Sequence, residues 1–381
     1  MAYYSIFPEK DATIYSNPDR DTLNTGNDEI LELVKEKRTS DGIYYPTRIL
    51  TQFKDSEIND VISNKISGSF SASLQLFSTE HKNLAQNHNI EVFLLSQSWD
   101  EGTGRFSNLP TSSNGCSLLF RDNSNLKTEW LTSSFATGTT GSVVSSSLIT
   151  QGGGVWYTGS AFTSSQQFSN AETLDIDFNV TSLVQKLSAS IFASQTYPDG
   201  IPNNGFIIKY TDSIENNISS SKGTLNYFSV DTHTIFPPKL VFKWDDSSFL
   251  NAYTSSGKTS GELNVSLYRN KEEYNINEEA FFRVNVRDKY PNRTFVTSSN
   301  YLNVGYFTTS SFYSVRDAVT EEIIIPFDTS FTKLSADENG MYFKLFMNDF
   351  QPERYYRILF KHINNDGTEI FDNNYHFKVV R

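Results

Sequence analysis

Hydrophobic and polar residues alternate with a period of two in several short runs within the first 245 residues. In the clearest run, residues 70–77, every second side chain is apolar: Phe70, Ala72, Leu74 and Leu76. Such runs are typical of half-buried strands, and the turn-forming residues between them predict a sandwich or a barrel. The other runs that predict strands are 11–16, 29–34, 47–53, 90–95, 205–210, 224–229 and 238–244.

A second block with the same period covers residues 262–381, after a polar stretch at 247–261 that we interpret as a linker. Within 280–287 the apolar residues alternate with arginine and asparagine, which predicts a strand with one dry and one wet face. Residues 365–367, Asn-Asp-Gly, lie between two such strands and predict a hairpin turn.

The segment 100–170 is different, because glycine, serine and threonine dominate it. It predicts long loops across one face or an excursion from the sheets. No Lys-Ser/Thr pair and no helix follow the glycine triplet at 152–154, so we interpret the triplet as a close backbone approach rather than a phosphate-binding loop. The best helix candidate is 180–187, which Thr181 or Ser182 would cap.

Composition supports an all-β protein. The 381 residues suffice for two or three domains, and Phe (30) and Tyr (20) supply aromatic residues that favour strands.

Cys116 is the only cysteine, so no disulfide forms within the chain. The formal charge of −12 argues against unspecific binding to nucleic acid, which needs a cationic surface. The first residues lack the features of a secretory signal, no apolar run approaches the length of a membrane span, and the single cysteine fits assembly in a reducing cytoplasm.

Six pieces of the first 246 residues, taken in order, resemble the DNRLRE domain, a jelly-roll module related to carbohydrate-binding modules. The resemblance implies an all-β chain in which a jelly-roll-like β-sandwich, residues 1–246, contains long loops at 100–170 and precedes the linker. The pieces that carry it are 11–16, 71–77, 98–104, 178–184, 203–209 and 237–244.

Residues 227–238 and the block after the linker are similar to virion structural proteins of tailed phages, especially contractile-tailed marine phages. Residues 262–381 also resemble an immunoglobulin-like β-sandwich. Pro352-Glu-Arg-Tyr-Tyr356 precedes a strand in the manner of a tyrosine corner, whose hydroxyl bonds to backbone upstream. We expect Tyr356 in that structural role, or failing that Tyr355. Neither resemblance implies a catalytic residue.

Three kinds of site are considered. Trp99 is a possible glycan contact, although its place after an apolar strand favours a core position. A structural calcium site would use the acids nearest the strand ends, but hard cations need six or more oxygen ligands and these acids need not converge. A glycosidase needs two acids at a defined separation, and the adjacent acids 100–101 and 245–246 point apart in an extended chain, so we expect no glycosidase activity. We also expect no other catalytic residue and no cofactor. The weak calcium candidates are Asp11, Asp100, Glu101 and Asp245.

The leading hypothesis is therefore a structural subunit of a tailed-phage virion, in the neck or collar, the baseplate periphery or a fibre. It would act by protein–protein assembly with other virion proteins, in several copies on a symmetric ring or as a homo-oligomer. The alternative is a carbohydrate-binding adhesin or receptor-binding fibre that contacts a host surface glycan. A third hypothesis is a polysaccharide depolymerase. We expect neither nucleic-acid binding nor membrane insertion.

Overall fold

The computed structural model describes residues 2–84, 87–108, 114–124, 126–130, 139–141, 152–169, 173–187, 200–249, 257–258, 262–268, 270–290 and 305–381. Strands account for 51% of the described residues and helices for 9%, which confirms the expected all-β class. Several antiparallel sheets are present, and one is a curled half-barrel. None of the helices in these ranges is both long and apolar enough to span a membrane.

The strands are short, as the alternating runs predict. In chain order they are β1 (Ala2–Ile6), β2 (Pro8–Tyr15), β3 (Ile30–Lys37), β4 (Tyr44–Phe53), β5 (Phe70–Leu76), β6 (Ser78–Lys82), β7 (Asn87–Leu94), β8 (Phe120–Asp122), β9 (Thr128–Glu129), β10 (Thr139–Gly141), β11 (Val155–Tyr157), β12 (Thr163–Ser169), β13 (Ile176–Asn179), β14 (Phe206–Tyr210), β15 (Thr224–Phe228), β16 (Lys239–Trp244), β17 (Gly257–Lys258), β18 (Leu263–Tyr268), β19 (Glu273–Asn275), β20 (Glu279–Asp288), β21 (Tyr306–Phe307), β22 (Ser311–Asp317), β23 (Ile323–Ile325), β24 (Ser335–Asp337), β25 (Gly340–Phe346), β26 (Tyr355–Asn364) and β27 (Gly367–Val380).

Helical segments are few and brief. They are α1 (Asp55–Asp60), a π-helical turn at Val61–Lys65, α2 (Thr181–Val184), α3 (Asp212–Glu215), and 3-10 turns at Phe106–Asn108, Ser160–Phe162 and Met347–Asp349.

The chain forms two compact units. The N-terminal unit comprises Ile6–Lys65 and Ser71–Val241, and the C-terminal unit comprises Met1–Ser5, Ile66–Phe70 and Phe242–Arg381. Of the predicted linker at 247–261, residues 250–256 and 259–261 lie outside the described part of the chain.

The N-terminal unit is built on an eight-stranded sheet. Its order is β12-β7-β14-β4-β3-β15-β6, with β2 paired to β4. All five residues of β14 are buried, as expected for a central strand rich in aromatic and β-branched residues. The predicted alternation in β5 is confirmed from Ala72 onward, because Ala72, Leu74 and Leu76 are buried while the residues between them are half-buried; Phe70, at the start of the strand, is half-buried.

The C-terminal unit is β-sandwich-like. One sheet has the order β18-β20-β25-β24, and a five-stranded sheet has the order β19-β27-β26-β22-β23. Phe343 of the first sheet packs against Tyr313 and Phe360 of the second, with ring centroids 4.4 and 5.9 Å apart. The predicted hairpin is confirmed: Asn364 pairs with Gly367, so Asn365 and Asp366 form the turn.

Two local predictions have different outcomes. The glycine triplet is a close backbone approach, because a Cβ on Gly152 would lie 1.8 Å from the carbonyl oxygen of Leu118. The predicted helix near 180–187 exists as the single turn α2, but the predicted cap is wrong. Asn179 accepts a hydrogen bond from the Thr181 N–H, and the Thr181 hydroxyl instead accepts one from the Ala72 N–H at 2.8 Å.

Candidate binding groove

The segment 99–104 is fixed in the N-terminal unit by Asn24, a fully buried side chain. The Asn24 amide donates to the carbonyl oxygens of Glu101 at 2.6 Å and Cys116 at 2.8 Å, and its oxygen accepts from the Gly104 N–H at 2.7 Å. A Cβ on Gly104 would lie 2.4 Å from the Asn24 carbonyl oxygen. Glycine is therefore required for this close approach.

Trp99 lies in the core beside Ala12, Leu50 and Cys116. Its ring is 4% exposed, its indole N–H donates to the Asn204 carbonyl oxygen at 3.0 Å, and the Lys10 ammonium lies 4.5 Å from the ring centroid. A pyranose needs an open ring face for stacking. The ring of Trp99 offers no such face, so the residue cannot stack on a glycan as the first hypothesis requires. It occupies the core position that its place after an apolar strand favours.

Asp11 and Glu101 come together next to this segment. The Asp11 N–H donates to Glu101 Oε1 at 2.9 Å, and the Asp11 carboxylate accepts from the Ser229 hydroxyl at 2.8 Å and the Val230 N–H at 2.7 Å. Burial raises the pKa of Asp11 to about 7 and that of Glu101 to about 7, against the opposing effect of the hydrogen bonds. Two adjacent carboxyl groups therefore titrate near neutral pH.

The predicted calcium ligands do not form a ligand set. Asp245 is exposed and accepts a hydrogen bond from the Ser247 N–H at 2.8 Å, in a local turn. Asp100 is exposed, and its own N–H donates to the Arg121 carbonyl oxygen. Within the described ranges, no three His, Cys, Asp or Glu side chains are placed to hold a metal ion.

A cavity of about 270 Å³ opens beside the segment, between the end of β2, the start of β3 and the residues after Gly104. We call it the Arg105 groove. Phe106 and Tyr15 form an aromatic wall with ring centroids 5.4 Å apart, and the Arg20 guanidinium lies 4.3 Å from the centroid of Phe106. The lining residues are Tyr15, Asn27, Asp28, Glu29, Ile30, Glu32, Arg105 and Phe106.

The groove carries three carboxyl groups and one guanidinium. Asp28 accepts a hydrogen bond from the Phe106 N–H at 2.9 Å, and burial raises the pKa of Asp28, with Glu32 adding to the effect. The Tyr15 hydroxyl donates to Glu32. A concave site with an aromatic wall and a few polar groups that accept and donate hydrogen bonds is suited to a small polyhydroxylated ligand.

The sequence points to residues 99–101, and the groove begins only a few positions later. Arg105 and Phe106 directly follow the glycine-rich segment, which is the one local signal for them. Asp28 and Glu32 carry no such signal, since their place in the groove depends on how β3 pairs within the sheet. Sequence patterns do not specify that pairing.

Tyr356 lies in the C-terminal unit, 2% exposed at the start of β26. Its hydroxyl donates to the Gln351 carbonyl oxygen at 3.1 Å and accepts from the Gln351 N–H at 2.7 Å. These are bonds to backbone upstream, of the kind that a tyrosine corner makes. The neighbouring Tyr355 is 54% exposed.

No family model matches the chain, and no curated protein matches it. Among solved structures, a DUF4785 family protein from Legionella pneumophila aligns at 8% identity, over 100% of this chain and 68% of that chain. The TM-score is 0.19, a value that carries no argument about fold or function.

Proposed function

We propose that the chain is a non-enzymatic structural protein of a tailed-phage virion. Its N-terminal unit would be a jelly-roll-like module of the DNRLRE type and its C-terminal unit an immunoglobulin-like module. The sequence resemblances given above support both assignments, and the β-sandwich-like packing of the C-terminal unit is consistent with the second. Such a protein acts by assembly with neighbouring virion subunits, in several copies, at the neck, baseplate periphery or a fibre.

The observation that carries this proposal is exposed apolar surface on the five-stranded sheet and its turns. Val319 is 81% exposed, Ile370 58%, Tyr355 54% and Ile323 52%. Ile323 begins β23, the last strand in the order of this sheet. Burial of apolar side chains drives protein association, and edge strands readily pair with strands of a neighbour.

Quantitative mass spectrometry of purified particles tests the proposal. We expect the wild-type chain in a fixed, multiple copy number per particle. An Ile323→Asp variant should be depleted about tenfold or more, because a charge at an association surface is costly to desolvate. Leu126→Asp, at another exposed apolar residue (90% exposed), is the matched control and should be retained. Absence of the wild-type chain from particles would overturn the proposal.

A second candidate, a carbohydrate-binding receptor protein, is favoured by the Arg105 groove. Its aromatic wall, carboxylates and guanidinium are groups that hold sugars in concave sites. A glycan array with the purified chain tests this candidate. Binding that Phe106→Ala abolishes and Arg121→Ala preserves would support it, since Arg121 is a half-buried arginine outside the groove lining that donates to Ser98. An array without a positive glycan would dismiss it.

A further inference from the structure

The outer face of the four-stranded sheet in the C-terminal unit carries a row of aromatic residues. Burial alternates strictly along the start of β20, so Phe281 and Arg283 point outward while Phe282 faces the core. The strand register places Arg283 opposite Tyr268 of β18 and opposite Tyr342 of β25. Asp337 lies on the next strand, β24, so four adjacent strands contribute to one surface, which we call the Arg283 platform: Tyr268, Phe281, Arg283, Asp337 and Tyr342.

The platform is held together by its own contacts. The rings of Phe281 and Tyr342 stack with centroids 5.0 Å apart and an interplanar angle of 25°. The Arg283 guanidinium lies 4.9 and 5.2 Å from those two centroids, and it binds both carboxylate oxygens of Asp337, one of them at 2.7 Å. Such contacts fix the side chains before any ligand arrives, which lowers the entropic cost of binding.

Aromatic surface stays accessible on this platform. Tyr268 is 59% exposed and Phe281 is 42% exposed. Adjacent strands lie about 4.8 Å apart, so the row from Tyr268 to Tyr342 spans roughly 10 Å, about the length of two linked pyranose rings. The apolar C–H face of a pyranose stacks on an aromatic ring, while its hydroxyl groups at the ring edge form hydrogen bonds.

Two ion pairs lie on this face. Arg283 binds Asp337, and Lys344 binds Glu279 at 2.7 Å. Arg287, an exposed residue on the same side of β20, is a further cation, but the chain as a whole has a formal charge of −12, which opposes the binding of a phosphate backbone or a polyanion. Exposed aromatic rings beside two neutralised ion pairs are complementary to an uncharged, hydroxyl-rich chain.

We propose that the Arg283 platform binds an uncharged polysaccharide. One sugar ring stacks on Phe281 and the next lies against Tyr268. Arg283 donates and Asp337 accepts hydrogen bonds at the ring edges. This site lies in the C-terminal unit, apart from the residues of the Arg105 groove, and it does not depend on the virion proposal.

Titration calorimetry with soluble neutral polysaccharides, β-1,4-glucan, mannan and xylan oligosaccharides, tests the platform. We expect at least one of them to bind, and Phe281→Ala to weaken that binding about tenfold or more, because one stacked aromatic contributes on the order of 1.5 kcal/mol. Tyr268→Ala, at the end of the edge strand β18, should weaken the binding of the polysaccharide as well. It provides a second variant if Phe281→Ala does not fold. Tyr290→Ala, which removes an exposed aromatic ring that lies after the end of β20 and outside the platform, should leave the affinity unchanged.

Three results would overturn the proposal. The first is no binding to any neutral polysaccharide. The second is binding that both platform variants retain and that Phe106→Ala removes, which places the sugar in the Arg105 groove. The third is self-association of the wild-type chain that Phe281→Ala abolishes, which identifies a second copy as the occupant. Circular dichroism of each variant establishes that it is folded before its affinity is compared.

Discussion

Arg48, Lys209 and Glu215 form a charged group in the interior of the N-terminal unit, and none of them is more than 4% exposed. Two nitrogens of Arg48 bind the two oxygens of Glu215 at 3.0 and 2.8 Å, and a third donates to the Gly153 carbonyl oxygen at 2.7 Å. Burial alone would raise the pKa of Glu215, but Arg48 and Lys209 hold it below its usual value. Arg48, Lys209 and Glu215 belong to β4, β14 and α3, so the group connects these three elements to one another and, through Gly153, to the glycine triplet.

Replacing Arg48 should therefore be costly. We expect Arg48→Met to lower the free energy of unfolding by about 3–5 kcal/mol, because it leaves Glu215 buried without its principal partner. Tryptophan fluorescence during urea unfolding measures this change, since Trp99, Trp130 and Trp156 all lie in this unit. Arg38→Met, which removes exposed ion pairs with Asp19 and Asp41, is the control and should have no measurable effect. Equal losses in the two variants would contradict this account.

Asp11 makes stability depend on pH. Its pKa in the folded chain, about 7, lies above the ordinary value of 3.8. The stability that this carboxyl contributes is therefore fully present below pH 3.8 and is lost as the pH rises through 7. Asp11→Asn keeps an acceptor for the Val230 N–H but cannot ionise. Between pH 4 and pH 8 we expect the variant to gain up to about 4 kcal/mol relative to wild type.

Urea unfolding at several pH values between 4 and 8 measures this difference. Asp177→Asn, at an exposed residue of β13, is the matched control and should follow the wild-type pH profile. Parallel profiles for wild type and Asp11→Asn would show that Asp11 is ionised throughout the range, contrary to this expectation.

The sequence draws attention to the segment next to the candidate groove but not to the residues that line it. Trp99 and Glu101 are conspicuous by residue type, yet burial places Trp99 in the core and Glu101 beside Asp11. Arg105 and Phe106, which line the groove, are unremarkable in sequence. Which residues of a loop face solvent is decided by tertiary contacts, here those of the buried Asn24, and periodicity carries no information about them.

At the scale of elements, strands were predictable and caps were not. The period-two pattern specifies β5, β20 and the β26–β27 hairpin, because a half-buried strand must present one apolar face. The helix α2 is shorter than the run that predicts it, and Asn179 rather than Thr181 or Ser182 accepts the first N–H. The Thr181 hydroxyl is engaged by β5 instead, a long-range contact that local sequence cannot encode.

The glycine triplet gives a direct test at this scale. Gly152 has a φ of 86°, and a Cβ there would lie 1.8 Å from the Leu118 carbonyl oxygen. We expect Gly152→Ala to destabilise the N-terminal unit by roughly 2–5 kcal/mol, from backbone strain together with overpacking. Gly42 shares a positive φ of 73° but has no atom within 4 Å of the added methyl group, so Gly42→Ala should cost only about 1–2 kcal/mol.

Thermal unfolding of the two glycine variants, followed by tryptophan fluorescence, compares these costs. The close approach to Leu118 would be contradicted if Gly152→Ala and Gly42→Ala lowered the unfolding temperature equally.

The whole molecule consists of two compact units. The candidate sugar-binding surfaces are the Arg105 groove in the N-terminal unit and the Arg283 platform in the C-terminal unit. Exposed apolar residues of the five-stranded sheet, among them Val319, Ile323 and Ile370, form the surface proposed for assembly. We propose that the apolar surface serves attachment to neighbouring subunits and that the groove and the platform serve recognition of sugars.

Hydroxyl-radical footprinting of the chain, free in solution and within purified particles, tests this division most directly. We expect Val319, Ile323 and Ile370 to lose most of their reactivity in the particle, because a neighbouring subunit covers them. Tyr268 and Phe281 should react equally in both states, because the platform stays open to a polysaccharide. Unchanged reactivity at Val319, Ile323 and Ile370, or protection confined to Tyr268 and Phe281, would contradict the account.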